Sequence, residues 1–208
     1  MTTTAAPPSR PGRLIILCTL CSLSVALFAS WWFVARDAQP SDTVSPEQLV
    51  SGGGTGSSIS GEATEGQPAP DATFLTFDGS TTKLSDLRGR TVVINFWASS
   101  CAPCLAEMPA IESVFRQLDG NGWSRAGLGA PVEFLGVDVS EASQPGRAMI
   151  RKTGVTYPQA RDPKGVLVQG FGGIALPHTV VIGPDGVVKT LHNKALDAGE
   201  LRALLGVT

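Results

Sequence analysis

The pattern of apolar and polar positions divides the 208-residue chain into three stretches. Residues 14–34 contain no charged side chain and are long enough to cross a bilayer, which takes roughly 20 apolar residues. Residues 35–66 are rich in Ser, Gly, Thr, Glu and Pro and show no apolar periodicity, which predicts a flexible polar linker. From residue 67 onward, apolar positions recur with the periods of strands and helices. One folded domain is therefore expected over 67–208.

The charges beside the first apolar run predict its orientation in a membrane. Arg10 and Arg13 precede the run, whereas Arg36 and Asp37 cancel each other after it. The positive-inside bias keeps such an N-terminus, residues 1–13, in the cytoplasm. A cleaved signal peptide is the alternative, but its apolar region is usually shorter and no clean small-x-small cleavage site follows. The sequence thus predicts a retained single-pass anchor in the cell membrane and an extracytoplasmic folded domain.

Within the folded domain, short apolar runs bounded by turn residues predict the strands: 72–77, 80–84, 91–97, 132–139, 179–182 and 187–191. The first two runs flank Asp-Gly and the last two flank Gly-Pro-Asp-Gly, so both pairs are expected to form hairpins. The runs at 91–97 and 132–139 are nearly continuous in apolar residues. Such runs are typical of strands that are buried on both faces of a sheet.

Three helices are predicted between and after these strands. The first has apolar residues three or four positions apart: Leu105, Met108, Ile111, Phe115 and Leu118. Pro109 lies within it and predicts a kink. A second helix starts near Pro145, and the third follows Asp197, an N-cap with Glu200 three residues on. The resulting fold class is α/β: a mixed sheet flanked by helices on both faces and preceded by an N-terminal β-hairpin.

Composition narrows the candidate chemistry. The chain has 16 basic and 18 acidic residues, a net charge of −2, and so lacks the basic surface that binds nucleic acid. Its four cysteines form two Cys-x-x-Cys pairs. Cys18 and Cys21 lie inside the predicted membrane span with no strand before them, and we interpret them as small residues of a membrane helix. Cys101 and Cys104 directly follow a predicted buried strand and are the candidates for catalysis.

A Cys-x-x-Cys pair can be half of a zinc site, a structural pair or a redox dithiol. Zinc would need two further ligands, and neither His178 nor His192 belongs to a compact ligand motif, so no metal is expected. Placement favours redox chemistry, because Cys101 lies where a strand ends and a helix begins. Unpaired N–H groups there lower the pKa of a thiol. Pro103 fits the first helical turn. Cys101 is expected to be the exposed, attacking sulfur, and Cys104 the buried, resolving one.

A second feature is Leu176-Pro177, directly before a predicted strand. Proline is acceptable at the first position of a strand, whereas a cis peptide bond would mark a specific tight structure. Together with Phe96–Cys104, Glu107-Met-Pro109, Leu176–Thr179 and Pro184-Asp-Gly186, this pattern resembles the thioredoxin superfamily. It is most similar to the membrane-tethered TlpA/ResA-type branch, over about residue 67 to the C-terminus. The resemblance implies a thioredoxin-like fold, a cis-Pro177 beside the dithiol and a family insertion between Val139 and Tyr157.

The resemblance also implies which residues bind the substrate. Trp97, Leu176, Pro177 and His178 are expected to lie beside the backbone of a docked protein. Two positions depart from the family pattern: Ser100 stands where Trp is usual, and His178 stands where Thr is usual. The smaller Ser100 removes apolar surface beside the dithiol. The imidazole of His178 either tunes the thiolate or is a tolerated replacement.

Glu107 is the third candidate catalytic residue. It lies one helical turn after Cys104 and matches a family glutamate with an active-site role. Asn95 occupies the strand position at which thioredoxin itself has a buried acid, and an amide cannot take a proton from Cys104. We therefore expect Glu107 to accept or relay the Cys104 proton. The alternative is a solvated charge near the start of a helix.

The function implied by the resemblance is reduction of disulfides outside the cytoplasm, often during cytochrome c maturation. No cofactor is expected. The expected partners are disulfide-containing exported proteins such as apocytochrome c, a transmembrane thiol carrier as electron donor, and the membrane through the N-terminal helix. An oxidase that donates disulfides is one alternative, since the direction depends on the reduction potential. A copper-binding or delivery module that uses Cys101, Cys104 and His178 is another, although copper-delivery relatives usually space their cysteines by three residues. A peroxiredoxin-type site would require Thr where this chain has Ala98.

Overall fold

The computed structural model describes residues 56–120 and 122–207. The predicted cytoplasmic segment 1–13, the membrane span 14–34 and most of the predicted linker lie outside these residues and stay predictions. Among the helices that the structure does describe, none is long and apolar enough to span a bilayer.

The described residues form one mixed sheet of eight strands with five α-helices and a short 3-10 helix. The strands are β1 Ser58–Ser60, β2 Asp71–Thr76, β3 Thr81–Lys83, β4 Thr91–Trp97, β5 Val132–Val139, β6 Gln159–Asp162, β7 His178–Ile182 and β8 Val188–His192. The helices are α1 Ala102–Leu118, α2 Gly122–Arg125, α3 Ser143–Thr153, α4 Val166–Gly170 and α5 Ala198–Leu205, and the 3-10 helix is Leu84–Leu87. This arrangement is the thioredoxin-like α/β fold that the motifs predict.

Strand β4 lies at the centre of the sheet. It is parallel to β5, which is parallel to β6, and on its other edge it is antiparallel to β7. Strands β7 and β8 form an antiparallel pair, as predicted around the Gly-Pro-Asp-Gly turn. At the far edge β2 pairs antiparallel with β1, β3 and β6. Trp97 is the last residue of β4 and pairs with Asp138 of β5. On the other edge of β4, the residue before it, Phe96, pairs with His178 of β7.

The two faces of β4 lie in different cores, because successive side chains of a strand point to opposite sides of the sheet. Ile94 and Phe96 pack with Phe171 and the apolar residues of α4. Val93 and Trp97 pack against α1, α3 and α5 on the other face. Helices thus cover both faces, as the alternation of parallel strands and helices predicts. The dithiol belongs to the second face, since Cys104 packs in the same core as Val93 and Trp97.

Local sequence explains where the helices begin. Helix α1 starts after Cys101, with Pro103 in its first turn, and continues through Pro109 to Leu118. Helix α5 starts after Asp197, whose carboxylate accepts a hydrogen bond from the Glu200 N–H, while the Glu200 carboxylate accepts one from the Asp197 N–H. This reciprocal capping confirms the predicted start of the last helix.

The linker prediction is wrong at its C-terminal end. Strand β1 pairs with Asp71–Thr73 of β2, and the Ala63 N–H donates to the Gly170 carbonyl at 2.7 Å, so residues 58–66 belong to the folded domain. The sequence of β1 is Ser-Ile-Ser, and a single apolar residue shows no periodicity. Strand β6 and helix α4 were also not predicted. Both are short. The first N–H groups of α4 donate to the Asp162 carboxylate, four to six residues before them, rather than to an adjacent cap.

Candidate active site

Cys101 and Cys104 form a disulfide at the N-terminus of α1, with their Cα atoms 5.3 Å apart. Cys101 is the N-cap residue, and its Sγ accepts a hydrogen bond from the Cys104 N–H at 3.2 Å. The same N–H group can stabilise negative charge on Cys101 after reduction. Cys101 is partly exposed, whereas Cys104 is completely buried. This difference agrees with Cys101 as the sulfur that meets a partner and Cys104 as the one that resolves the mixed disulfide.

The turn between β4 and α1 fixes the position of Cys101. Its N–H donates to the Ala98 carbonyl at 3.1 Å, which closes the turn directly after the strand. Ser99 is partly buried and Ser100 is exposed. A large side chain is therefore missing from the surface just before Cys101, as the departure at Ser100 predicts.

Glu107 is buried behind the dithiol, with 2% of its surface exposed. Its Oε1 accepts a hydrogen bond from Asn95 Nδ2 at 2.7 Å, and its Oε2 accepts one from the Leu196 N–H at 2.9 Å. Burial raises the pKa of Glu107 to about 7, although these two hydrogen bonds act in the opposite direction. The alternative of a solvated charge is wrong. A carboxyl group that can gain or lose a proton near neutral pH lies one helical turn from Cys104, on the buried side of α1.

The Leu176–Pro177 peptide bond is cis, as the family resemblance implies. The register of β4 and β7 pairs Phe96 with His178, so Pro177 lies next to the end of β4, from which the dithiol turn departs. Pro177 is buried and Leu176 is partly exposed. Ile174, in the same loop, is 90% exposed. The loop before β7 therefore presents apolar surface to solvent.

Besides the buried Pro177, two predicted substrate-binding side chains do not reach the surface. Trp97 is completely buried, and its Nε1 donates to Gln159 Oε1 at 3.0 Å. His178 is also completely buried and stacks on Phe96, with ring centroids 5.8 Å apart, on the opposite face of the sheet from Cys104. Neither indole nor imidazole can contact a docked protein there, so the prediction is wrong for both side chains.

The position of His178 also decides its chemistry. Burial lowers the pKa of His178, and its Nε2 lies 2.8 Å from the Phe171 carbonyl, which needs an N–H donor. Burial thus favours the neutral ring, which supplies no positive charge beside the thiolate. Because it lies across the sheet from the two cysteines, it also cannot complete a copper site with them. No group of three or more potential metal ligands occurs among the described residues.

Sequence reasoning missed a second acidic group beside the dithiol turn. Glu141 accepts hydrogen bonds from the Ser99 N–H at 2.7 Å and from the Ser99 hydroxyl at 2.5 Å. Asp138, 1% exposed at the end of β5, contacts the Glu141 carboxylate. One signal was available: Asp138 is an acid at the carboxyl end of an otherwise apolar parallel strand, the edge at which ligand and catalytic groups of such sheets gather.

A partly exposed sulfur bonded to a buried one, at the start of a helix that follows a central strand, is suited to disulfide exchange. With the cis-proline loop just before the neighbouring strand β7, this arrangement defines a thiol:disulfide oxidoreductase of thioredoxin type. The family model described as Redoxin matches residues 64–205, so the chain belongs to this family.

Individual relatives agree with this assignment. The chain is 30% identical to the thioredoxin-like protein YneN of Bacillus subtilis, over 68% of this chain and 78% of the relative. It is 29% identical to the thiol-disulfide oxidoreductase ResA of Bacillus subtilis, over 60% of this chain but only 64% of ResA. A thiol:disulfide interchange protein of the thioredoxin family from Chlorobium tepidum has the same fold, with a TM-score of 0.56, 23% identity and coverage of 69% of this chain and 96% of that one. The protein is thus a TlpA/ResA-like member of the thioredoxin superfamily.

Proposed function

We propose that this oxidoreductase works outside the cytoplasm, tethered to the membrane, and reduces disulfides in exported proteins such as apocytochrome c. A transmembrane thiol carrier is the proposed electron donor, because an exported reductase has to be re-reduced across the membrane. The apolar run at 14–34 with its flanking arginines supports the location. The observation that carries the proposal is the partly exposed Cys101 bonded to a buried Cys104 with Glu107 behind it.

In the proposed reaction, the reduced protein meets a substrate disulfide with its Cys101 thiolate. The Cys101 sulfur attacks, the substrate S–S bond breaks, and one substrate sulfur leaves as a thiolate while a mixed disulfide forms. Cys104 then gives its proton to the Glu107 carboxylate and attacks Cys101 Sγ. The second substrate sulfur leaves, and the proton held by Glu107 is available to the departing thiolates. Two electrons pass to the substrate, and the Cys101–Cys104 disulfide is the oxidised product.

Glu107→Gln tests the proton-transfer step. The variant is expected to reduce a model disulfide about 10- to 100-fold more slowly near pH 7, because general acid–base catalysis contributes at least that much. The inflection near pH 7 in the pH–rate profile, set by the Glu107 carboxyl, should disappear. Glu112→Gln, on the same helix but remote from the cysteines, is the matched control and should keep the inflection. An unchanged profile in Glu107→Gln would rule out the relay.

Trapping the substrate tests the direction and the partner. Cys104→Ser in the full-length chain should stall the mixed disulfide on Cys101, and the partners are then released with a reductant and identified. Recovery of apocytochrome c supports the proposal, whereas a broad set of secreted proteins indicates an oxidase. The Cys101→Ser/Cys104→Ser double variant controls for non-covalent capture.

The reduction potential gives a second, independent measurement of direction. A value near that of thioredoxin, about −270 mV, supports a reductase, and a value near −120 mV contradicts it. The potential is obtained by equilibrating the purified domain with glutathione or dithiothreitol buffers and measuring the oxidised fraction.

A further inference from the structure

Asp138 and Glu141 form a pair of acids that the disulfide-exchange steps do not use. Asp138 is almost completely buried, and among the described residues neither of its carboxyl oxygens accepts a hydrogen bond from any N–H or O–H group. A buried carboxylate without donors is costly, since each buried polar group needs a partner. Its polar contact is the Glu141 carboxyl, which has no proton of its own to give when ionised. The pair is satisfied only when Asp138 carries a proton and donates it to Glu141.

Glu141 connects this pair to the catalytic turn. Its two carboxyl oxygens accept hydrogen bonds from the N–H and the hydroxyl of Ser99, which lies two residues before Cys101. These hydrogen bonds, together with the one shared with Asp138, hold the pKa of Glu141 below its usual range even though burial alone would raise it. Glu141 is therefore the ionised partner, and Asp138 is the one that holds the proton.

The surrounding backbone is shaped to keep both carboxyl groups in place. Ser140, between them, has φ +57°, a left-handed conformation that is uncommon for a residue other than glycine. Gly146 in α3 leaves room for Asp138, because a Cβ atom at that position would lie 2.0 Å from Asp138 Oδ2. A glycine inside a helix costs stability relative to alanine. Two residues next to the acid pair, Ser140 and Gly146, thus each carry a local cost in stability.

The charged groups around the pair are few. Arg161 of β6 lies beside Asp138 in the sheet, and its charge favours ionisation of Asp138 without outweighing burial and Glu141. The Arg161 and Arg147 guanidinium groups both lie over the Phe77 ring, at 5.8 and 5.2 Å from its centroid. Asp162, the acid of β6, instead accepts hydrogen bonds from the first N–H groups of α4.

We propose that Asp138 is a positioning residue of this oxidoreductase: it shares one proton with Glu141 and so keeps Glu141 on Ser99 and the Cys101 turn in its reactive position. Loss of the shared proton puts two carboxylates in contact, and their repulsion releases Ser99. Burial and the neighbouring Glu141 raise the pKa of Asp138 to about 9. Glu141 therefore releases Ser99 only in alkaline solution. This inference goes beyond the proposed function, since it holds whichever way the electrons flow.

Carbon-detected NMR of the oxidised protein tests the shared proton directly, because the disulfide removes both cysteines from the titration. The side-chain carboxyl carbon of Asp138 should titrate near pH 9, and the Ser99 Cβ shift should move with the same midpoint. Glu107 provides a reference inside the same molecule, with a midpoint near 7. Ser99 shifts that stay constant from pH 7.5 to 10 would overturn the proposal.

Two substitutions at Asp138 separate positioning from mere packing. In Asp138→Asn the amide N–H donates to Glu141 at every pH, so the alkaline transition at Ser99 should vanish. Asp138→Leu offers no donor, and disulfide exchange should slow about 10-fold across the whole pH range because the Cys101 turn is no longer held. The wild-type rate of disulfide exchange should fall in alkaline solution as Ser99 is released, and this fall should be absent from Asp138→Asn.

The variants also give the results that would contradict the proposal. A Ser99 transition that persists in Asp138→Asn would assign it to another group. Equal pH–rate profiles for the wild type and Asp138→Asn would show that the shared proton does not affect the turn. If Asp138→Leu does not fold, the comparison of the wild type with Asp138→Asn still decides.

Discussion

Helix α1 holds two buried glutamates whose pKa values are shifted in opposite directions. Glu107, near the dithiol, receives two hydrogen bonds, and burial raises its pKa to about 7. Burial also acts on Glu112, but hydrogen bonds from the Thr156 N–H and hydroxyl and from Arg116 outweigh it and hold the pKa of Glu112 below its usual range. The comparison shows that burial alone does not set the charge of a buried acid. The charge depends on the balance between the depth of burial, which is greater for Glu107, and the number and charge of the donors, which favour Glu112.

The two glutamates consequently have different roles along one helix. Glu112 is a permanent anion that joins α1 to the segment after α3 through Thr156. Glu107 has too few donors to stay ionised at all physiological pH values, which is the property that a proton acceptor for Cys104 requires.

The largest expected effect is on the pH dependence of stability. The pKa of Glu107 is higher in the folded state than its usual 4.5, so the folded state binds more protons between pH 4.5 and 7 and its stability falls as the pH rises through this window. A shift to about 7 corresponds to roughly 3 kcal/mol of unfolding free energy. In urea titrations of the oxidised protein, Glu107→Gln should gain about that much over the wild type between pH 4.5 and pH 8. A constant difference between the two proteins across this range would contradict the burial argument.

A smaller effect of the opposite sign is expected at Glu112. In Glu112→Gln the new amide nitrogen faces the Thr156 and Arg116 donors, and the unfolding free energy at pH 7.5 should fall by about 2 kcal/mol. The measurement is the same urea titration. Between pH 4.5 and pH 8 Glu107→Gln should gain stability relative to the wild type and Glu112→Gln should lose it, so the two substitutions, identical in chemistry and on the same helix, should change in opposite directions. Two losses of similar size would remove the distinction between these sites.

The smallest effect concerns the donor to Glu107. Asn95→Val removes the Nδ2–H group, and the pKa of Glu107 should rise further, by about one unit, because burial is then opposed only by the Leu196 N–H. The carboxyl carbon of Glu107, followed by NMR in the oxidised protein, gives the midpoint. Thr179→Val is the control, since Thr179 contacts Asn95 but not the carboxylate, and it should leave the midpoint in place. A midpoint that stays near 7 in Asn95→Val would show that the amide has no electrostatic role.

The sequence predicted the parts of this site that depend on local order. The strand that ends at Trp97, the helix that starts after Cys101 and the motif position of Glu107 are all read within a dozen residues of the dithiol. Whether Glu107 is buried or solvated could not be predicted, because its second donor, the Leu196 N–H, comes from a loop 89 residues away. The pair of Glu141 and Ser99 was missed for the same reason, being separated by 42 residues.

His178 shows a different limit. The period of two along β7 places its side chain on the same face as Val180 and Ile182, and this much is written in the sequence. Which of the two faces lies under α1 depends on how the sheet pairs and which helix covers it. The motif match suggested proximity to the dithiol. The backbone of His178 does pair with Phe96, next to the dithiol turn, but its side chain points into the other core.

Pro109 lies between the two glutamates and interrupts the backbone hydrogen bonds of α1. Proline has no N–H, so the Leu105 carbonyl loses its partner four residues on, and the turns that carry Cys101, Cys104 and Glu107 are joined to the rest of the helix by one hydrogen bond fewer. Local opening of the first turns then does not require the second half, clamped by Glu112, to open with it. We therefore expect the two halves of helix α1 to open at different rates, with hydrogen exchange at the first-turn amides depending on the redox state and exchange beyond Ile111 independent of it.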